Sequence, residues 1–208
     1  MTVLKWAVIL SGLYSVVALT YLIFKARSFG RRTAYSTPQG SPSRGVIYAL
    51  GKGMMPWEKE SARLHILTYM GGMLYHIGIF AGFGVLLAGI LSVEIPPLLR
   101  EALRLCLALG LISGLGLLLK RLLGPHGRRL SLPDDFGANI FVDIFIAAAL
   151  VTLSKPEVTF FFLAYSIFLL IYIPAGKIRH CFFFFYSRLL FGLFFGRRDV
   201  LPVRPVER

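Results

Sequence analysis

Five stretches of this chain stay apolar long enough to cross a lipid bilayer, and this property sets what the chain can fold into. A spanning helix needs roughly 17–25 consecutive apolar residues. Residues 3–24, 64–91, 102–119, 137–154 and 158–176 each meet that length. Inside hydrocarbon every backbone polar group must find its partner within the chain, so these stretches are read as helices. The expected fold is an all-α integral membrane bundle of about five transmembrane helices. Composition agrees: 56% of the 208 residues are hydrophobic and the mean hydropathy is +0.71. Lys155-Pro156-Glu157 leaves only a short turn between the last two stretches, the signature of a helical hairpin. The first apolar run is too long for the core of a signal peptide and no small-residue cleavage site follows, so it is read as an uncleaved anchor.

Charge gives the orientation. Eight basic residues (Lys25, Arg27, Arg31, Arg32, Arg44, Lys52, Lys59, Arg63) fall in the loop after the first run. Four more (Lys120, Arg121, Arg128, Arg129) follow the third run, and seven (Lys177, Arg179, Arg188, Arg197, Arg198, Arg204, Arg208) follow the fifth. Only Lys5, Arg100, Arg104 and Lys155 lie on the other side. By the positive-inside rule the N-terminus is outside and the C-terminus cytoplasmic, in the cell inner membrane. The net charge of +13 is thus a topology signal and no argument for nucleic acid. The organisation read from the sequence is a first helix (1–24), a polar cytoplasmic loop (25–63), a four-helix core (64–179) and an aromatic and basic interfacial tail (180–208). No internal repeat is apparent.

Little chemistry is available outside four histidines. Cys106 and Cys181 stand far apart, with no CxxC or CxxCH for an iron–sulfur cluster or a c-type haem. No phosphate-binding glycine loop appears in a strand–helix setting. His65 is placed just inside the cytoplasmic edge of the second helix, and His180 at the cytoplasmic end of the fifth. Two imidazoles at one depth on facing helices are what an axially ligated haem needs. Arg63, Lys177 and Arg179 stand beside them as candidates for the haem propionates or a quinone. His76 lies eleven residues beyond His65, roughly 16 Å deeper and within about 20° of the same helix face. Against this stands a plainer reading, in which each histidine is a polar residue at a membrane boundary. The glycines near His76, Gly72 and Gly78, suit either a flat macrocycle or ordinary helix packing. His126, in Gly124-Pro125-His126-Gly127, reads as a loop residue. Asp143 sits within the fourth apolar run, where an ionisable group is costly and tends to be functional. It is read either as a hydrogen-bond partner of a haem edge or proton relay at a quinone pocket, or as a packing contact.

Several segments carry a resemblance: Lys52-Gly53-Met54-Met55-Pro56-Trp57-Glu58-Lys59-Glu60-Ser61-Ala62-Arg63-Leu64-His65, Ser131-Leu132-Pro133-Asp134-Asp135, Lys177-Ile178-Arg179-His180, and Phe191-Gly192-Leu193-Phe194-Phe195-Gly196-Arg197-Arg198. With the order of five helices, they resemble the membrane cytochrome b gamma subunit of respiratory nitrate reductase. They are closer still to the relatives that anchor heterodisulfide-reductase-like iron–sulfur proteins. The resemblance covers most of the chain from about residue 45. It implies that His65 and His180 ligate a haem b near the cytoplasm and that His76 would ligate a second, outer haem. The outer haem's other ligand is expected about five turns before His180, near Phe162. Phe160, Phe161 and Phe162 stand there, and none binds iron, so one haem held by His65 and His180 is expected, with two as the alternative. The implied function is a relay between a menaquinone or ubiquinone pool and a cytoplasmic iron–sulfur subunit, a redox subunit rather than an enzyme alone. The competing expectation is a haem-free quinone-binding anchor or a transporter component, although transporters commonly show inverted repeats and broken helices.

Overall fold

A computed structural model describes residues 1–30 and 36–201. Arg31, Arg32, Arg204 and Arg208 lie outside the described residues, as does the side chain of His126. The described chain is all-helical: α1 (Thr2–Ser28), α2 (Pro42–Leu50), α3 (Glu60–Leu64), α4 (Ile66–Leu91), α5 (Pro97–Leu123), α6 (Pro125–Leu130), α7 (Pro133–Ser154), α8 (Thr159–Ala175) and α9 (His180–Arg197), with short 3₁₀ turns at 52–54, 56–58, 156–158 and 177–179. Six helical segments are long and apolar enough to cross a membrane: the five expected, and 177–197, the least apolar of them. The tail read as interfacial therefore contains a sixth long helix.

The helices divide into two compact units, residues 1–18 with 67–178 and residues 19–66 with 179–208. In the first, the core is built by Phe145, Phe162, Leu107, Ile146 and Leu163, all essentially inaccessible, with Val8 of α1 joining the cluster. Phe145 packs on Phe83 (5.0 Å between ring centroids) and on Phe162 (5.5 Å). Phe162 is thus a core residue, while its neighbours Phe160 and Phe161 are exposed. Helices in lipid approach through small residues, because lipid tails leave no hydrophobic force to drive apolar faces together. At the α4–α5 crossing a Cβ on Gly78 would lie 2.7 Å from Gly110 Cα, so both positions need glycine. Of the two glycines flanking His76, Gly78 is therefore committed to helix packing, whereas Gly72 faces open space.

The Leu132-Pro133-Asp134-Asp135 segment is a helix start. Pro133 takes the first position, which needs no N–H, and the Asp135 carboxylate accepts from Leu132 N–H at 2.9 Å. The same two acids tie α7 to the end of α8: Lys177 pairs with Asp135 at 2.9 Å, and the Tyr172 hydroxyl donates to Asp134. Lys155-Pro156-Glu157 falls in the short turn joining α7 to α8.

The second unit is held by α2 lying against α9. A Cβ on Gly45 would come 2.5 Å from Gly196 Cα, and Gly192 likewise faces the backbone of Val46. The N–H groups of Gln39 and Gly40 donate to the Arg197 carbonyl (3.0 and 3.1 Å), and the Arg197 guanidinium donates to the Ser36 carbonyl. The Lys52–Glu60 segment becomes two 3₁₀ turns, closed where Glu58 accepts from the Tyr48 hydroxyl at 2.6 Å and pairs with Lys52 at 3.4 Å.

Candidate functional site

His65 and His180 belong to the second unit, and the chain prepares both in the same way. Each is a junction residue between a short helical piece and a long apolar helix. His65 (φ −126°, ψ 46°) separates α3 from α4, so the second apolar run is broken at the histidine rather than continuous from residue 64. His180 opens α9 directly after the turn at 177–179. Both side chains are exposed, as are those of Arg63 and Arg179 one or two residues earlier. Among the described residues the His65 imidazole has no hydrogen-bond partner, so both of its nitrogens are available. Imidazole is, in kind, a donor that haem iron takes.

A further pair of cations lies in this unit. Lys59 is half-buried, and its desolvation, then the neighbouring Arg188 guanidinium, hold its ammonium below the ordinary lysine range. Arg188 donates to the Gly53 carbonyl at 3.5 Å and lies over the rings of Phe184 and Phe191. Like charges close enough to lower the Lys59 ammonium favour a neighbouring anion.

The first unit holds His76, Lys177 and Asp143. His76 is exposed on α4, with its Nδ1 2.7 Å from the Gly72 carbonyl oxygen. A carbonyl only accepts, so Nδ1 is the donor in this contact. The Lys177 ammonium, read as a propionate candidate, is engaged by Asp135. His126 lies in α6, and its side chain is outside the described residues.

Asp143 is 5% exposed, and its surroundings could not be read from the sequence. Asn139, one turn earlier on α7, donates from Nδ2 to Asp143 Oδ2 at 2.8 Å. The Tyr75 hydroxyl from α4 donates to the Asn139 carbonyl and accepts from Asn139 Nδ2, both at 3.2 Å. Asn139 was legible in principle, since it sits four residues before an intramembrane acid on the same helix face; Tyr75 carried no such signal.

The helices define an all-α, multi-pass membrane protein. No family model, curated protein or solved structure matches this chain.

Proposed function

We propose that the chain is a membrane electron-carrying subunit in which His65 and His180 hold one haem b near the basic edge. A haem held there supplies one-electron transfer as its iron alternates between ferrous and ferric states. Arg63, Arg179, Lys59 and Arg188 are the cations that would hold its propionates. The observation that carries the reading is the repeated arrangement of an exposed imidazole at the break between a short helix and a long apolar one, twice within one basic unit. The electron partners by chemistry are a membrane quinone on one side and an iron–sulfur protein at the basic, cytoplasmic face on the other.

We also propose five spans, with α9 lying in the interface and the C-terminus cytoplasmic. Arg188 sits mid-helix, and α2, which packs along α9, has only nine residues, about 13 Å, too short to cross with it. Cysteine accessibility tests this: Cys181 and an Arg197→Cys variant should label from the same side, and labelling from opposite sides makes α9 a sixth span.

The haem test is a reduced-minus-oxidised optical spectrum with pyridine haemochrome quantitation. About one haem b per chain is expected, lost in both His65→Ala and His180→Ala and kept in His76→Ala. Two haems per chain would give His76 an iron, and none would end the cytochrome reading. A second reading, a haem-free quinone anchor, is favoured by one observation. A cavity of about 260 Å³ in the first unit is lined by Arg100, Thr152, Ser92 and Glu94 beside Val85 and Leu153, a mixture suited to an aromatic ring carrying acceptor oxygens. Quinone retained by a protein without haem would select it.

A further inference from the structure

We infer that Asp143, cradled by Tyr75, Asn139 and Gly114, is a proton-exchange site reached from the basic edge of the helix bundle. The site is built from three helices. Tyr75 comes from α4, Gly114 from α5, and Asn139 and Asp143 from α7. A Cβ on Gly114 would run into Asp143 Oδ1 and the ring of Tyr75, so α5 leaves open the space that the carboxyl occupies. Asp143 Oδ2 takes the Asn139 hydrogen bond, while Oδ1 is buried without a partner. Among the described residues no cation is paired with Asp143. An ionised carboxylate with one bare oxygen inside a bilayer is expensive. The same carboxyl with a proton on it carries no such charge, and Asn139 and Tyr75 solvate it with neutral dipoles.

α7 carries polar residues from its first turn toward this carboxyl. Asp135, Asn139 and Asp143 stand at i, i+4 and i+8, on one face of the helix, so the polar line runs about 12 Å from the first turn to the carboxyl. At its edge, Lys177 pairs with Asp135 and Arg121 donates to the Asp135 carbonyl at 2.9 Å. From α8, Tyr172 donates to Asp134 and Tyr165 donates to the Phe141 carbonyl. The step is a single proton transfer: a hydronium at the basic edge gives its proton to the Asp143 carboxylate and leaves water, and release is the reverse. The inference does not rest on the haem reading.

Infrared spectroscopy of the full chain in lipid vesicles tests it. A protonated-carboxyl stretching band is expected at neutral pH, moving to lower frequency in D₂O and lost in Asp143→Asn. Asn139→Leu should keep the band and slow its deuterium exchange about tenfold or more. Tyr75→Phe should shift the band, which serves as the second measurement if Asp143→Asn fails to fold. A spectrum whose acid band survives Asp143→Asn, or is unmoved by Tyr75→Phe, overturns the inference. So does exchange at an unchanged rate in Asn139→Leu.

Discussion

The two units use one device for opposite ends. Both bring helices together through glycine, Gly78 against Gly110 in the first unit and Gly45 against Gly192 and Gly196 in the second. In the first unit the contact closes an interior: Phe145 and Phe162 are buried, and even the polar groups Asp143 and Ser166 are enclosed. In the second the contact holds a surface, where Trp57, Phe185, His65 and His180 remain exposed and basic residues surround them. A lipid-facing unit turns its polar groups inward, because hydrocarbon offers them nothing. In the proposed topology the second unit lies at the membrane edge, where its imidazoles and cations are under no such constraint and stay exposed. The contrast explains why the proposed haem ligands and the proposed proton site fall in different units.

The largest effect is expected where that shared device is removed. Gly110→Leu forces side-chain atoms into the Gly78 backbone and should cost about 3 kcal/mol or more, the upper range for overpacking a core. It is measured as loss of folded protein in thermal unfolding in detergent. Gly45→Leu should part α2 from α9, seen as rapid proteolysis within residues 36–60 while the melting of the first unit stays unchanged. A Gly45→Leu protein that lowers both together would break the comparison. Next in size is Phe145→Ala, expected to cost roughly 3 kcal/mol by leaving a cavity over Gly82. The same truncation at exposed Phe185 should stay within about 0.5 kcal/mol. Smaller again is Lys177→Met: an ion pair with one half-exposed partner is worth under about 1 kcal/mol. Equal losses for Phe145→Ala and Phe185→Ala would show that the second unit has a buried face of its own.

Much of the fold was legible because bilayer length is a coarse rule that five apolar runs satisfy at once. The helix ends were less so. α5 runs from Pro97 to Leu123, beyond the apolar 102–119, because Arg100, Lys120 and Arg121 continue a helix that composition alone would stop. The break at His65 was invisible, since Leu64-His65-Ile66 continues the apolar pattern and only backbone geometry interrupts it. The aromatic and basic segment after His180 was legible as a helix, but nothing local announces that α2 packs along it. At the sites, single residues such as Asp143 stood out because an acid in a membrane helix is rare. Their partners did not, since Tyr75 lies 68 residues earlier and Lys177 meets Asp135 across 42.

The smallest effect concerns the turn that carries the chain toward His65, and here the second unit should respond to pH. Hydrogen bonding from Tyr48, reinforced by Lys52, holds the Glu58 carboxyl below its ordinary value, and the same bond holds the Tyr48 hydroxyl above its own. A lowered carboxyl contributes stability that is present above the ordinary glutamate value of 4.5 and is lost as pH falls through the folded one. A raised phenol contributes stability that is present below its ordinary value of 10.0 and is lost as pH rises through the folded one. The pair should therefore brace residues 48–58 across the whole range between, and loosen only outside it. Hydrogen exchange of the amides at 54–59 reads this directly, since Met54, Met55, Glu58 and Lys59 donate within the turns. Tyr48→Phe should raise their opening roughly twofold near neutral pH, the scale of one part-buried hydrogen bond to a charged group near the surface, and should flatten the dependence on the acid side. Amides of the α7 core, which the pair does not brace, should not change. Loosening that spread from residues 54–59 into α7 would mean that the two units are energetically one, and the comparison would have to be redrawn with His65 governed by the membrane core.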